Sequence, residues 1–272
     1  MSFPRMIKDP SPITVITLTK NRTDQLVACA RSVKNQDYPG RVEHLIMGDD
    51  SPVLASLEKT LAGINNDILI QNVKLEDDYP GLIPFYAPSR TGVLRNLAIR
   101  KAAGRYICQL DDDNTIDADH ISSLVETIES EPGIGIAYSW RRLVWEDGTP
   151  YLDQAYPWTP VARLAIDKTT LSGYIYNALV HAGIRVPGTN LVRDAILAPN
   201  KEPVYTVDTS ELMVKKEVHQ RFPFTERFTW REMVGDFSDD YAFVKRCHEG
   251  GVRFKASEKA TLCYTIGGGS IP

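Results

Sequence analysis

Cysteine is scarce in this chain, and what there is does not cluster. Cys29, Cys108, Cys247 and Cys263 are widely separated, with no C-x-x-C pair. That spacing argues against a zinc site or a disulfide framework, and all four read as small buried hydrophobes in a reducing compartment. Long apolar runs are missing too: none approaches the ~20 residues of a membrane span. The opening Met1-Ser2-Phe3-Pro4-Arg5 lacks the apolar stretch of a secretory signal. The cytoplasm is the expected location, with peripheral membrane contact left open. Nor is there an excess of positive charge. The 31 basic and 35 acidic residues leave a net −4, which argues against a protein built to coat nucleic acid. His44, His120, His181, His219 and His248 show no metal-ligand spacing and read as packing or surface residues. The remaining composition, 43% apolar and 24% charged over 272 residues, suits one large domain or a domain with an embedded subdomain.

Within that composition the first half alternates. Residues 13–18 form a β-branched run that reads as a buried strand. Asp24 opens an amphipathic stretch to Gln36, with Leu26, Cys29, Ala30 and Val33 at helical spacing, and Tyr38-Pro39-Gly40 breaks it. Strands follow at 42–47 and 68–73, and helices at 53–62 and 91–103, the latter ended by Gly104. A strand at 106–110 and a helix at 120–129 complete the pattern. It predicts an α/β fold with a largely parallel sheet covered on both faces. The second half is less regular. Strands are expected at 134–138 and 141–145, with a hairpin turn at Asp147-Gly148, and a helix near 171–181. Further strands are expected at 204–208, 211–215, 252–256 and 261–266. Ser238 can cap a helix from Asp239 to His248, closed by Gly250-Gly251.

The strand at 106–110 ends in Asp111-Asp112-Asp113, with Asn114 behind. Adjacent carboxylates repel one another, so a fold that holds three together calls for a compensating cation. Hard oxygen ligands at a strand tip suit Mg²⁺ or Mn²⁺ carrying substrate phosphates, and open α/β sheets bind their ligands along that edge. The competing reading is a solvated turn whose aspartates cap the next helix.

Further motifs accompany the triplet: Thr19-Lys20-Asn21-Arg22 after the first strand, Asp49-Asp50-Ser51 after the second, Arg95-Asn96 on a helix, and Asp239-Asp240. In that order and at those strand ends the set resembles the family 2 glycosyltransferases, densely from about Ile13 to Glu129 and more sparsely to Ile266. The resemblance implies the GT-A fold, a Rossmann-like sheet with a smaller mixed C-terminal half. Residues 1–130 would bind the nucleotide-sugar and 131–272 the acceptor, within one continuous domain. It implies transfer of a hexose from a UDP- or dTDP-sugar to a hydroxyl of a glycan, lipid-linked sugar or small molecule, with inversion and with Mn²⁺ or Mg²⁺.

By the same resemblance Asp113 is the direct metal ligand, and Asp111 and Asp112 divide the remaining metal, water and ribose contacts. Asp49, better placed than Asp50, takes the nucleobase imide, although Asp50-Ser51-Pro52 stands where a Gly-Ser turn is usual. Thr19 and Asn21 shape the pocket floor, Arg22 joins the nucleotide-sugar set, and Lys20 stands where an aromatic is common. Arg90 and Arg95 flank a helix start and either draw the diphosphate or fix the acidic loops. Asp240 is the expected general base, Asp239 orients it or touches the acceptor, and Asp208 is a secondary site residue. Helix capping is the competing reading for Asp239-Asp240. Many relatives carry a histidine near the C-terminus; Tyr264-Thr265-Ile266-Gly267-Gly268-Gly269-Ser270 has none, and its glycines imply a loop that orders over the donor. Trp158, Tyr174, Tyr176, Phe228 and Trp230 are candidates for stacking on an acceptor sugar. The alternatives are a retaining transferase, a sugar-1-phosphate nucleotidyltransferase and a non-catalytic nucleotide-sugar-binding protein. The second is disfavoured because the 19–22 segment has no phosphate-binding glycine.

Overall fold

The computed structural model describes residues 10–65, 67–78, 86–158, 168–235 and 237–267. β1 (Ile13–Thr19), β2 (Val42–Asp49), β3 (Ile68–Val73) and β4 (Tyr106–Gln109) lie parallel. Between them run α1 (Asp24–Lys34), α2 (Leu54–Ile64), the single turn α3 (Leu75–Asp78) and α4 (Ala87–Lys101). Then come β5 (Thr115–Ile116), α5 (His120–Glu129), β6 (Ile134–Val144), α6 (Lys168–His181) and β7 (Leu191–Val192). A 3₁₀ turn (Thr209–Glu211), β8 (Leu212–Lys215), α7 (Lys216–Arg221), α8 (Trp230–Val234), α9 (Asp239–Glu249) and β9 (Arg253–Thr265) complete the chain. One sheet, ordered β3-β2-β1-β4-β8-β6-β9-β5 with β7 on β6, runs through both halves. β8 is antiparallel to both β4 and β6, while β6 and β9 are parallel.

Alternation along the strands explains why both faces are covered. Ile16, Leu45, Met47 and Ile107 enter one core with Val93 and Leu94 of α4 and Phe243 of α9. Their neighbours Ile13, Val15, Tyr106 and Cys108 point the other way, to Cys29 of α1 and Leu124 of α5, and Ile46 meets Leu26, Leu54 and Leu61. A strand buried on both sides needs a continuous apolar run, as the sequence shows. Among the polar exceptions, Thr14 donates to Glu43 (2.6 Å) and Thr17 meets His44 Nε2 (2.9 Å). Cys29, Cys108 and Cys247 are buried packing residues and Cys263 is half-buried. No helix among the described residues is long and apolar enough to cross a membrane.

The structure revises several boundaries. α4 begins at Ala87, before the expected Thr91, because Pro88 in a first turn needs no N–H partner. The four short strands expected at 134–145 and 252–266 are two long ones, β6 and β9. Their register shifts between Tyr138 and Arg141, where Glu258 takes φ +60, so the irregularity is absorbed in bulges. The Asp147-Gly148 turn forms, with Gly148 at φ +81, but its return is a single bridge at Pro150, which has no N–H to extend a ladder. Residues 204–208 are not a strand. Asp208 accepts from the Ser210 N–H and Glu211 from the Asp208 N–H, a capping box that commits the backbone to the 3₁₀ turn. The strand expected from Glu211 therefore starts at Leu212.

Candidate functional site

The C-terminal ends of β1, β2 and β4 lie side by side, and the predicted residues gather there. Asp49 ends β2 nearly buried, its Oδ2 accepting from Arg90 Nη2 at 2.6 Å and Nε at 3.0 Å. Its Oδ1 is buried and has no hydrogen-bond partner. Asp50 takes φ +48, a left-handed conformation that Asp tolerates better than most residues, and leaves its side chain exposed. The unusual Asp50-Ser51-Pro52 turn is fixed by Asn72, which accepts from the Ser51 N–H and donates to the Ser51 carbonyl. Asn21 is exposed on the β1 loop and Lys20 half-buried.

At the tip of β4, Asp112 is 4% exposed and accepts from Thr19 Oγ1 (2.7 Å) and Arg22. Arg22 also reaches Asp113 (2.9 Å). Asn114 anchors the turn: it donates to Ser210 Oγ and accepts from the Thr265 N–H, tying the triplet to the 3₁₀ turn and to β9. Burial, together with the charges of Asp111 and Asp112, pushes the Asp113 carboxyl up to about 7 in spite of Arg22. The cluster is thus short of positive charge. Among the described residues no three His, Cys, Asp or Glu side chains form a closed metal cage. The carboxylate chemistry of this tip suits the other kind of site, in which Mg²⁺ or Mn²⁺ takes one or two carboxylates and fills its shell with water and phosphate oxygens.

Arg95 joins this tip to the second acidic motif. It is 5% exposed, and its guanidinium meets Asp239 (2.9 Å), Gln109 (2.9 Å) and Asp111 (3.3 Å). Asn96 beside it clamps the 224–226 loop, bonding both the N–H and the carbonyl of Phe224. Arg90 and Arg95 thus both fix acidic loops. Ser238 caps α9 as expected, accepting from the Tyr241 N–H, and Gly251 at φ +78 follows the helix end.

Asp240 faces a cavity of about 440 Å³ that Asp208, Ser238 and Tyr241 also line. That volume lies within the roughly 300–1,000 Å³ of small-molecule sites. Burial and the charge of Asp239 hold Asp240 above the usual carboxylate range, and burial, opposed by Arg141, pushes Asp208 up to about 7. Arg141 meets Asp194 at 3.0 Å and Asp208 at 3.4 Å, and its guanidinium lies over Tyr264 (4.9 Å) and Trp158 (5.2 Å). Of the five candidate aromatics, Trp158 and Tyr176 line the cavity. Phe228 packs against Tyr86 in the core, while Tyr174 and Trp230 are exposed to solvent away from it. Tyr156, Tyr205, Arg141, Asp194 and Arg185 line it without having been singled out from sequence, as does Tyr264, which was named only as part of the C-terminal stretch. Tyr264 to Gly267 are described, whereas Gly268-Gly269-Ser270 of the expected donor loop lie outside the described residues.

The sheet, with its carboxylate-bearing strand tips on one side of the Arg95 guanidinium and an acid-lined cavity on the other, is an α/β fold of the GT-A class. S. aureus TarS 1–349 shares the architecture with a TM-score of 0.58 at 14% identity, covering 93% of this chain and 60% of that one; TarS is also solved with UDP-GlcNAc. The Pyrobaculum calidifontis mannosyltransferase PcManGT, in complex with GDP-Man and Mn²⁺, gives 0.56 at 15% identity over 95% and 57%. The glycosyl transferase family 2 model matches residues 14–187, and the chain belongs to that family. TuaG of Bacillus subtilis (strain 168), a glycosyltransferase assigned to teichuronic acid biosynthesis, is 29% identical over 138 residues, 51% of this chain and 50% of TuaG. The chain thus spans about half the length of that curated relative.

Proposed function

We propose that this chain transfers a hexose from a UDP- or dTDP-sugar to an acceptor hydroxyl, with inversion and with a divalent metal. The observation that carries the reading is the Arg95 bridge, which holds the Asp239-Asp240 motif against the acidic strand tip. A base and a leaving-group site are thereby fixed relative to each other, as an in-line displacement requires. Asp49 Oδ1, buried and unpartnered, accepts the imide N–H of uracil or thymine, with Arg90 holding the carboxylate in place. Asp113 and Asp111 would hold Mn²⁺ or Mg²⁺, which when bound stabilises the charge gathering on the departing diphosphate. Asp240 takes the proton of the acceptor hydroxyl as its oxygen attacks the anomeric carbon, and Asp239 positions it through Arg95. The first half of the sheet then serves the donor, and the cavity in the second half serves the acceptor.

Thermal shift against UDP, dTDP, GDP and ADP, with and without Mn²⁺, tests this. UDP or dTDP with Mn²⁺ is expected to raise Tm by several degrees, since binding at about 100 Kd adds roughly 2.7 kcal/mol. Asp49→Ala is expected to weaken UDP binding by about tenfold and to erase its advantage over GDP. Equal stabilisation by GDP in the wild type, or indifference to Mn²⁺, would sink the assignment.

The raised carboxyls set the pH dependence. A base must be ionised, so kcat/KM should rise with pH along a limb displaced above the ordinary carboxylate value of about 4. Asp208 and Asp240 interact, so the limb belongs to the pair. Asp208→Asn removes a like charge and frees Arg141, both of which favour ionised Asp240, and the limb moves to lower pH. A shift to higher pH would contradict this arrangement.

A further inference from the structure

The acceptor cavity holds two buried arginines in opposite situations. Arg141 is neutralised by Asp194 and Asp208. Arg185, only 4% exposed, forms no ion pair among the described residues, and its Nε and Nη1 are buried without hydrogen-bond partners. Its guanidinium lies 5.6 Å from the Tyr176 ring and 6.0 Å from that of Tyr151, beside the apolar cluster of Leu143, Ile184 and Val192. Aromatic faces offset only part of the cost of burying a lone cation. Burial accordingly holds the Arg185 pKa below the usual guanidinium value, the direction expected of a cation without a counter-ion.

A guanidinium stays charged at any physiological pH and presents its N–H groups as a planar fork that matches carboxylate or phosphate oxygens. Arg185 lines the same cavity as Asp240, so an anion seated on it belongs to whatever molecule fills that cavity. The cavity's other carboxylates form no ion pair with it among the described residues: Asp194 and Asp208 are engaged with Arg141, and the longer-range charge of Asp194 offsets only part of the burial. We infer that Arg185 selects an acceptor bearing an oxyanion, a carboxylate or a phosphate, whose charge rests on the guanidinium while a hydroxyl is presented to Asp240. This rests on the cavity being the acceptor side of the proposed transfer.

The test is calorimetric titration of the full chain with methyl glucoside, methyl glucuronide and methyl glucoside 6-phosphate, with UDP titrated in parallel. Both charged glycosides are expected to bind at least about tenfold more tightly than the neutral one, and the better of the two identifies the anion. Arg185→Gln should bring that ratio below about twofold while leaving UDP affinity unchanged, and Arg185→Lys should retain part of it. A neutral glycoside binding as well as the charged ones, no binding of either charged glycoside, or a preference that survives Arg185→Gln would overturn the inference. The first two outcomes need only the wild type, so a variant that fails to fold does not remove the test. If UDP does not bind while the charge preference holds, the donor assignment falls and the anion site stands. UDP binding without the preference gives the reverse.

Discussion

Asp240→Asn is expected to lower kcat for sugar transfer by about 10³-fold while KM for the donor stays within about twofold. A positioned general base contributes roughly 10²–10⁴ in rate, and loss of an interaction made only in the transition state appears in kcat, not in KM. Asparagine keeps the size and polarity of the side chain but cannot accept the proton. Burial and the charge of Asp239 hold Asp240 above the usual carboxylate range, which brings the base closer to the pH at which it must act. Asp239→Asn should cost less, since Asp239 meets Arg95 and is not among the groups lining the cavity. The comparison needs steady-state kinetics with Mn²⁺ and the anomeric configuration of the product by NMR. An inverted product with a large kcat loss supports the reading. A retained anomer with a kcat loss under about tenfold would replace it with the retaining mechanism, in which no such base is needed. Loss of activity in Asp208→Asn but not in Asp240→Asn would move the base to the 3₁₀ turn.

The gathering of the strand tips in the first half, the proposed donor side, was legible because those residues sit where local periodicity ends. Thr19, Asp49 and Asp111 each mark the end of a buried strand, and the parallel sheet brings such ends together without further information. Arg95 was legible as a helix residue, yet its role was left open between phosphate and carboxylate. Only the fold shows that Asp239, distant in sequence, lies 2.9 Å away. The cavity was mostly illegible. Arg141 read as an ordinary strand residue, and nothing local distinguishes it from Arg142, which faces Asp117. Asp194, Arg185 and Tyr156 come from irregular chain held by distant partners: Asp194 by Arg141 of β6, Arg185 by a bridge to Val192 of β7, and Tyr156 by Ser172 of α6. The 204–208 segment misled for a related reason: its β-branched residues suit a strand, but the Asp208–Glu211 capping box settles the backbone first. Composition could not reveal that Arg185 forms no ion pair among the described residues, because pairing is a property of three-dimensional neighbours.

Arg95→Met is expected to destabilise the fold by about 3–5 kcal/mol, the range for removing one partner of a buried ion pair. Methionine fills much of the same space and preserves the contact with Phe224, whose ring centroid lies 5.5 Å from the guanidinium, so the loss is chiefly electrostatic. The Asp239 side chain, 13% exposed, would be left without its cation. Asp111, a third exposed, adds the smaller share because water screens it. Arg95→Lys should recover part of the loss, since one ammonium cannot span Asp239, Gln109 and Asp111 together. The sign of the pH effect follows from Asp240, whose carboxyl burial holds above the usual carboxylate range while the charge of Arg95 draws it down. Without Arg95 that group is raised further above its unfolded value, so acid relieves the penalty. The deficit in urea midpoint should therefore be largest near pH 8 and shrink toward pH 5. A deficit below about 1 kcal/mol at neutral pH, typical of an exposed pair, would show that the bridge does not hold the acidic motifs together. The base and the leaving-group site would then lack the fixed separation on which the proposed displacement depends.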